Sequence, residues 1–149
     1  MEKSTKMEKV MELGIKLDKG AYMPIREHET DAGLDIRAKE EKIILPKHAE
    51  IFHTGVHIKL PPNTAGLLVS KSGLNVKHDI TSTGLIDEGY SGEIIIKLYN
   101  QGFNAYKVKA GDKISQLVIV PVMYCKLKVI SKLRQHSERG DKGFGSTGR

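Results

Sequence analysis

The chain has 149 residues, 39% of them hydrophobic and 28% charged, with a formal net charge of +6 from 24 basic and 18 acidic side chains. That length and balance fit one domain with a core that is aliphatic, since Trp is absent, and no apolar run is long enough to span a membrane. The single cysteine, Cys125, excludes an internal disulfide, and the basic residues form no dense run interleaved with aromatics, so nucleic acid is not the expected partner and small polyphosphates are the other anions such a charge serves.

Residues 1–12 are charged and read as a short helix or a frayed tail. The opening residues 1–6 lack the apolar segment of a secretory signal, and a cytoplasmic location is expected. From Leu13 onward the chain reads as short strands separated by turn residues. Residues 33–38 form one strand, and residues 42–45 another that stops at Pro46. Residues 56–60 alternate apolar and polar, which predicts one buried and one wet face, and stop at Pro61 and Pro62. Strands follow at 66–69, 94–99, 114–122 and 126–130. Residues 72–78 are the one internal piece predicted helical, with Ser72 placed to cap its first turn. Residues 84–93 read as a hairpin turn bracketed by Gly84, Gly89 and Gly92. The expectation is an all-β domain, a jelly-roll-like β-barrel with one short internal helix. The predicted boundaries are an N-terminal extension and approach to the first strand at 1–20, the barrel at 21–138, and a flexible Gly-rich tail at 139–149.

Five segments carry the candidate chemistry, each with a purely structural alternative. In DAGLDIRA (31–38), Asp35 lies inside an apolar strand, where an unpaired carboxylate is costly; the structural alternative is a strand-edge acid paired with an arginine. In VSKSGL (69–74), a strand runs into a helix start whose amides and dipole favour phosphate, with Lys71 adding a cation and Ser72 a hydroxyl; the alternative is a helix cap. In GLIDEGYSGE (84–93), Asp87 stands three residues before Tyr90. This places one acid beside one ring, with backbone groups free to bond a planar ligand such as a nucleoside; the alternative is an ordinary β-turn. In AGDKISQL (110–117), Gln116 is polar among Ile114, Leu117 and Val118, and either braces the core or faces a ligand. In the tail RGDKGFGSTGR (139–149), Arg139 can pair with phosphate, Phe144 can stack on a base, and Ser146 and Thr147 can wrap a terminal phosphate; the alternative is a solvating end.

In this order and spacing the five segments closely resemble the motifs of the homotrimeric all-β dUTPases (dUTP diphosphatases). The resemblance runs from about Asp31 to the end of the chain. It implies a dUTPase-like fold assembled as a trimer, with each active site built at a subunit boundary. It implies hydrolysis of dUTP to dUMP and pyrophosphate with Mg2+, which keeps uracil out of DNA and supplies dUMP for thymidylate synthesis. By motif, Asp87 is the acid that activates water. Tyr90 packs on the deoxyribose, and the backbone of Leu85, Ile86 and Ile95 reads uracil. Lys71, Ser72, Gly73 and Gln116 contact phosphate or its water. Arg139, Phe144, Gly145, Ser146 and Thr147 close over the substrate as a lid, and Asp35 helps hold the metal through water. Lys71 departs from the family, whose second motif usually carries arginine there, so the planar fork is lost while the charge is kept. Residues 1–11 match nothing in the motif set, and Lys142 is an extra charge in the tail that adds to phosphate attraction. Two other readings share the fold: a deoxycytidine triphosphate deaminase, against which the intact third and fifth segments argue, and a nucleotide-switched regulatory protein with a protein partner.

Overall fold

The structure, a computed structural model, describes residues 10–133, 137–144 and 148. The expected extension up to residue 9 and the site candidates Gly145, Ser146 and Thr147 lie outside those residues. The described residues form eleven strands and one helix: β1 (Gly14–Leu17), β2 (Leu34–Arg37), β3 (Lys42–Ile44), β4 (Ala49–His53), β5 (Val56–Lys59), β6 (Thr64–Val69), α1 (Ser72–His78), β7 (Ile80–Thr81), β8 (Thr83–Ile86), β9 (Ile95–Asn100), β10 (Tyr106–Val108) and β11 (Lys113–Pro121).

All ladders are antiparallel. The largest sheet has the order β2-β11-β6-β8, a second has the order β4-β9-β7, and β1-β5 and β3-β10 are two-stranded ribbons. Alternation sets which face is inside. Along β5, Val56 and Ile58 are buried while Lys59 is exposed, the pattern a half-wetted strand requires. These inward faces meet in one aliphatic core, in which Ile36, Ile44, Phe52, Ile96, Val108 and Leu117 come from six different strands. The expectation of a layered all-β domain with one short helix is met.

Three local expectations are corrected. Residues 126–130 alternate as a strand would, but they join no ladder. Leu127 and Val129 are 93% and 99% exposed, because among the described residues no strand pairs with them. Residues 84–93 do not form a hairpin ladder either: β8 pairs with β6, whereas β9 pairs with β4 and β7. The intervening turn therefore crosses between two sheets. Ser72 does not cap α1. Lys71 is the N-cap, with extended backbone and no side-chain cap bond, and Ser72 is already the first helical residue. The helix ends on Asp79, whose left-handed backbone returns its N–H to Asn75 and Leu74.

Candidate active site

A cleft of about 220 Å³ lies where β8 turns into β9, lined by Leu85, Ile86, Asp87, Tyr90, Glu93 and Ile95 among others. β8 is the edge of its sheet. One side of it bonds β6, and alternate residues turn their N–H and C=O groups outward, unpaired, as at any sheet edge. This free edge can bond a flat heterocycle without using a side chain.

The turn after β8 is held at several points. Tyr90 N–H donates to the Asp87 carbonyl at 3.0 Å, and the Tyr90 hydroxyl donates to the Glu93 carbonyl at 2.8 Å. The Glu93 carboxylate accepts the Gly55 N–H at 2.7 Å and meets His53 Nδ1 at 3.0 Å. Burial pushes the Glu93 carboxyl up, but the bonds from His53 and Gly55 outweigh it and leave it below the ordinary glutamate value. Ile94 N–H donates to Val56 at 2.8 Å. Glu88 accepts from the Asn63 N–H and, at 3.2 Å, from the Tyr124 hydroxyl. The exposed Asp87 side chain thus projects from a braced frame. A Cβ at Gly92 would overlap the Tyr90 ring, so glycine there lets the ring hold its place.

A second, polar cleft of about 360 Å³ is lined by Asp35, Lys71, Lys113, Gln116, Gly33 and Glu27 among others. Asp35 is only 5% exposed. Its carboxylate is paired with the Lys71 ammonium on one oxygen and with the Lys113 ammonium at 3.2 Å on the other. The expected arginine partner is replaced by two lysines, since Arg37 instead donates to the Gly111 carbonyl at 2.7 Å. Burial pushes the Asp35 carboxyl up, but the two ammonium groups more than offset it and hold it below the ordinary aspartate value. Gln116 donates its amide to the Ser70 carbonyl at 2.9 Å. The Gln116 side chain lies so close over Gly33 that a Cβ there would strike its amide oxygen.

The predicted residues therefore separate into two groups, and no residue lines both clefts. Leu85, Ile86, Asp87, Tyr90 and Ile95 lie in the first; Asp35, Lys71 and Gln116 lie in the second. Ser72 and Gly73 are exposed at the start of α1, next to Lys71 but outside the lining of the second cleft. Arg139 and Phe144 are exposed in the tail; Arg139 Nε donates to the Lys142 carbonyl at 3.0 Å, and none of the described tail residues lines either cleft.

Sequence reasoning missed Lys113, Glu27, Glu93 and His53. Lys113 bonds Glu27 at 2.7 Å as well as Asp35. It stands three residues before Gln116, and strict alternation would put the two on opposite faces. A register shift between Lys113 and Ser115 turns them to the same side. The only sequence hint was the turn at Gly111 immediately before. Glu93 sat inside a recognised segment, but its partners, His53 at the end of β4 and Gly55 in the loop before β5, stand some forty positions away.

The dUTPase family model matches residues 19–148, a span that includes all five segments. The chain belongs to the dUTPase family. It is 45% identical over 142 residues to the deoxyuridine 5'-triphosphate nucleotidohydrolase of Clostridium kluyveri, covering 93% of this chain and 99% of that one. It is 44% identical over 136 residues to the enzyme of the same name from Gloeothece citriformis, covering 89% and 93%. Among solved structures, the Staphylococcus bacteriophage 80alpha dUTPase with dUPNHPP superposes with a TM-score of 0.88 at 34% identity, covering 94% of this chain and 100% of that one. A mutant dUTPase from phage phi11 of S. aureus, described with a structural Mg(II) ion, gives a TM-score of 0.77 at 31% identity, covering 82% and 98%. Among the described residues no helix is long and apolar enough to cross a membrane.

Proposed function

We propose that this protein hydrolyses dUTP to dUMP and pyrophosphate, in the cytoplasm, with active sites shared between the subunits of a homotrimer. The reading is carried by one observation: Asp87 and Tyr90 stand on one braced turn beside the free edge of β8, within the same cleft. Two further facts support assembly. The polar cleft shares no lining residue with the cleft at that turn, which supports a site that joins the first cleft of one subunit to the second of another. The apolar side chains of Leu127, Val129 and Leu133 are exposed and need a cover.

Uracil is read by the outward N–H and C=O groups near Leu85, Ile86 and Ile95. Cytosine presents the opposite donor and acceptor pattern and would leave buried groups unpaired, which discriminates strongly. The Tyr90 ring packs on the deoxyribose and leaves no room for a 2′-hydroxyl. Asp87 orients a water in line with the α-phosphorus and takes its proton as the oxygen attacks. Pyrophosphate leaves with its negative charge met by Lys71 and Arg139, while Ser72, Gly73 and Gln116 hold the phosphate oxygens or their water. Residues 139–149 close as a lid, with Phe144 over the base and Gly145, Ser146 and Thr147 around the terminal phosphate.

Magnesium fits this donor set when it arrives with the triphosphate. Among the described residues no three His, Cys, Asp or Glu side chains are grouped to cage an ion, and Mg2+ characteristically keeps several waters and takes phosphate oxygens. Asp35 is the carboxylate placed to hold one of those waters. When bound, the ion supplies charge neutralisation on the phosphate oxygens.

The test is a pyrophosphate-release assay with purified protein across dUTP, dCTP, dTTP and UTP. Release from dUTP alone is expected. Ammonia release from dCTP, or no preference among the four, would sink the reading.

A further inference from the structure

His57 lies on β5 directly opposite Lys16 of β1. Its Nε2 stands 2.9 Å from a carboxylate oxygen of Asp18, and its Nδ1 stands 3.0 Å from the main-chain carbonyl of Ser91. Both neighbours are acceptors. A neutral imidazole carries one N–H, so it satisfies one of them and turns a lone pair toward the other; only the imidazolium donates to both. Ser91 sits between Tyr90 and Gly92, in the middle of the turn that presents Asp87. The Tyr90–Glu93 bond is internal to that turn, so it shapes the turn without locating it. The His57 bridge ties the turn's backbone at Ser91 to the end of β1.

We propose that His57, doubly protonated between Asp18 and Ser91, is a positioning residue that fixes the turn at residues 87–93 and so sets the approach of Asp87 and Tyr90 to the substrate. This rests on the hydrolase reading above and adds to it a residue outside the five segments.

The charges around the ring agree with the geometry. The Asp18 hydrogen bond, followed by the Ser91 carbonyl, raises the imidazole above its ordinary value, against a lowering by burial and by the Lys16 ammonium. Asp18 is held low chiefly by its bond to His57, with Lys16 and Lys39 contributing. Of the other charges in the turn, Glu93 is occupied by Gly55 and His53, Glu88 by the Asn63 N–H and the Tyr124 hydroxyl, and Asp87 is exposed. The bridge is therefore intact below the raised imidazole value while Asp18 is ionised, and opens as pH rises through that value.

The experiment compares wild type, His57→Ala and His57→Gln in dUTP hydrolysis across the pH range of imidazole titration, with thermal unfolding as a control. His57→Ala should lower kcat by about tenfold, with a smaller change in KM, as loss of one charged hydrogen bond at the frame implies. His57→Gln keeps a non-titrating N–H toward Ser91. It should recover most of kcat and lose the alkaline fall-off seen in wild type. Wild-type kcat in His57→Ala, or an unchanged alkaline limb in His57→Gln, overturns the proposal. If His57→Ala does not fold, the His57→Gln profile decides alone. Nitrogen NMR of the ring is independent of activity. Two protonated nitrogens at neutral pH in wild type and one in Asp18→Asn support the bridge, and a neutral ring in wild type overturns it. A wild-type chain inactive on dUTP would refute the hydrolase reading while leaving the NMR outcome to judge His57.

Discussion

The Lys113 ammonium stands 3.2 Å from one oxygen of the Asp35 carboxylate while the Lys71 ammonium takes the other. Lys113 is also bonded to Glu27, so the two ammonium groups of the polar cleft are met by two carboxylates.

Asp35→Asn removes that acid and leaves two ammonium groups facing an amide. Stability should fall by about 1–3 kcal/mol, the cost of stripping a partly buried charge of its partner after allowing for the water that reaches both lysines. The native carboxyl is held below its unfolded value, so its contribution is fully present above the unfolded aspartate value and fades as pH falls through the native one. Urea unfolding at neutral and acid pH should therefore show a shallower acid loss in Asp35→Asn than in wild type. Parallel acid limbs would mean that the pair contributes nothing.

Asp87→Asn keeps the shape of the turn, because the Tyr90 N–H bonds the main chain of residue 87 rather than its carboxylate. Nucleotide affinity should stay within a few-fold while kcat drops by about 10²–10⁴, the range for loss of a positioned general base. Isothermal titration with a non-hydrolysable dUTP analogue, set beside turnover, checks both halves of the expectation. Near-normal turnover would remove the base assignment.

Gly92→Ala places a methyl group where the Tyr90 ring lies. The ring has to swing aside and give up its bond to the Glu93 carbonyl. Turnover of dUTP should fall by about tenfold, and the preference for dUTP over UTP should shrink with it, since the ring no longer fills the space of a 2′-hydroxyl. Competition kinetics with UTP measures the ratio. A preserved ratio with a displaced ring would place sugar discrimination elsewhere.

Removal of residues 139–149 should leave the thermal midpoint within about one degree, because the core contains none of the described residues of that stretch. Turnover should drop more than about a hundredfold, as several charge-assisted phosphate bonds are lost together. Full activity in the truncated protein would dispose of the lid.

Much of this architecture was readable where one face of a strand is wet. Residues 56–60 announced β5 by alternation, and Pro61 marked its end. β10 was not readable, because three residues are too few for a period to register. In β4 only Phe52 is deeply buried, so its pattern is diluted by Glu50, Ile51 and His53. Residues 126–130 show the reverse case: the pattern of a strand is present, and no partner strand for it lies among the described residues. Within the site, Asp87, Tyr90 and Asp35 were legible because an acid or ring among glycines or aliphatics is conspicuous. Lys113 was hidden by a bulge that alternation does not foresee. His57 and Glu93 were hidden because their partners arrive from 34 to 40 positions away.

The unpaired flank of β8 has a consequence for how this chain tolerates change. Its donors and acceptors belong to peptide groups that every residue except proline supplies alike. Mutation can therefore rewrite the side chains at positions 83 to 86 over long times while the chemical question put to a base stays the same.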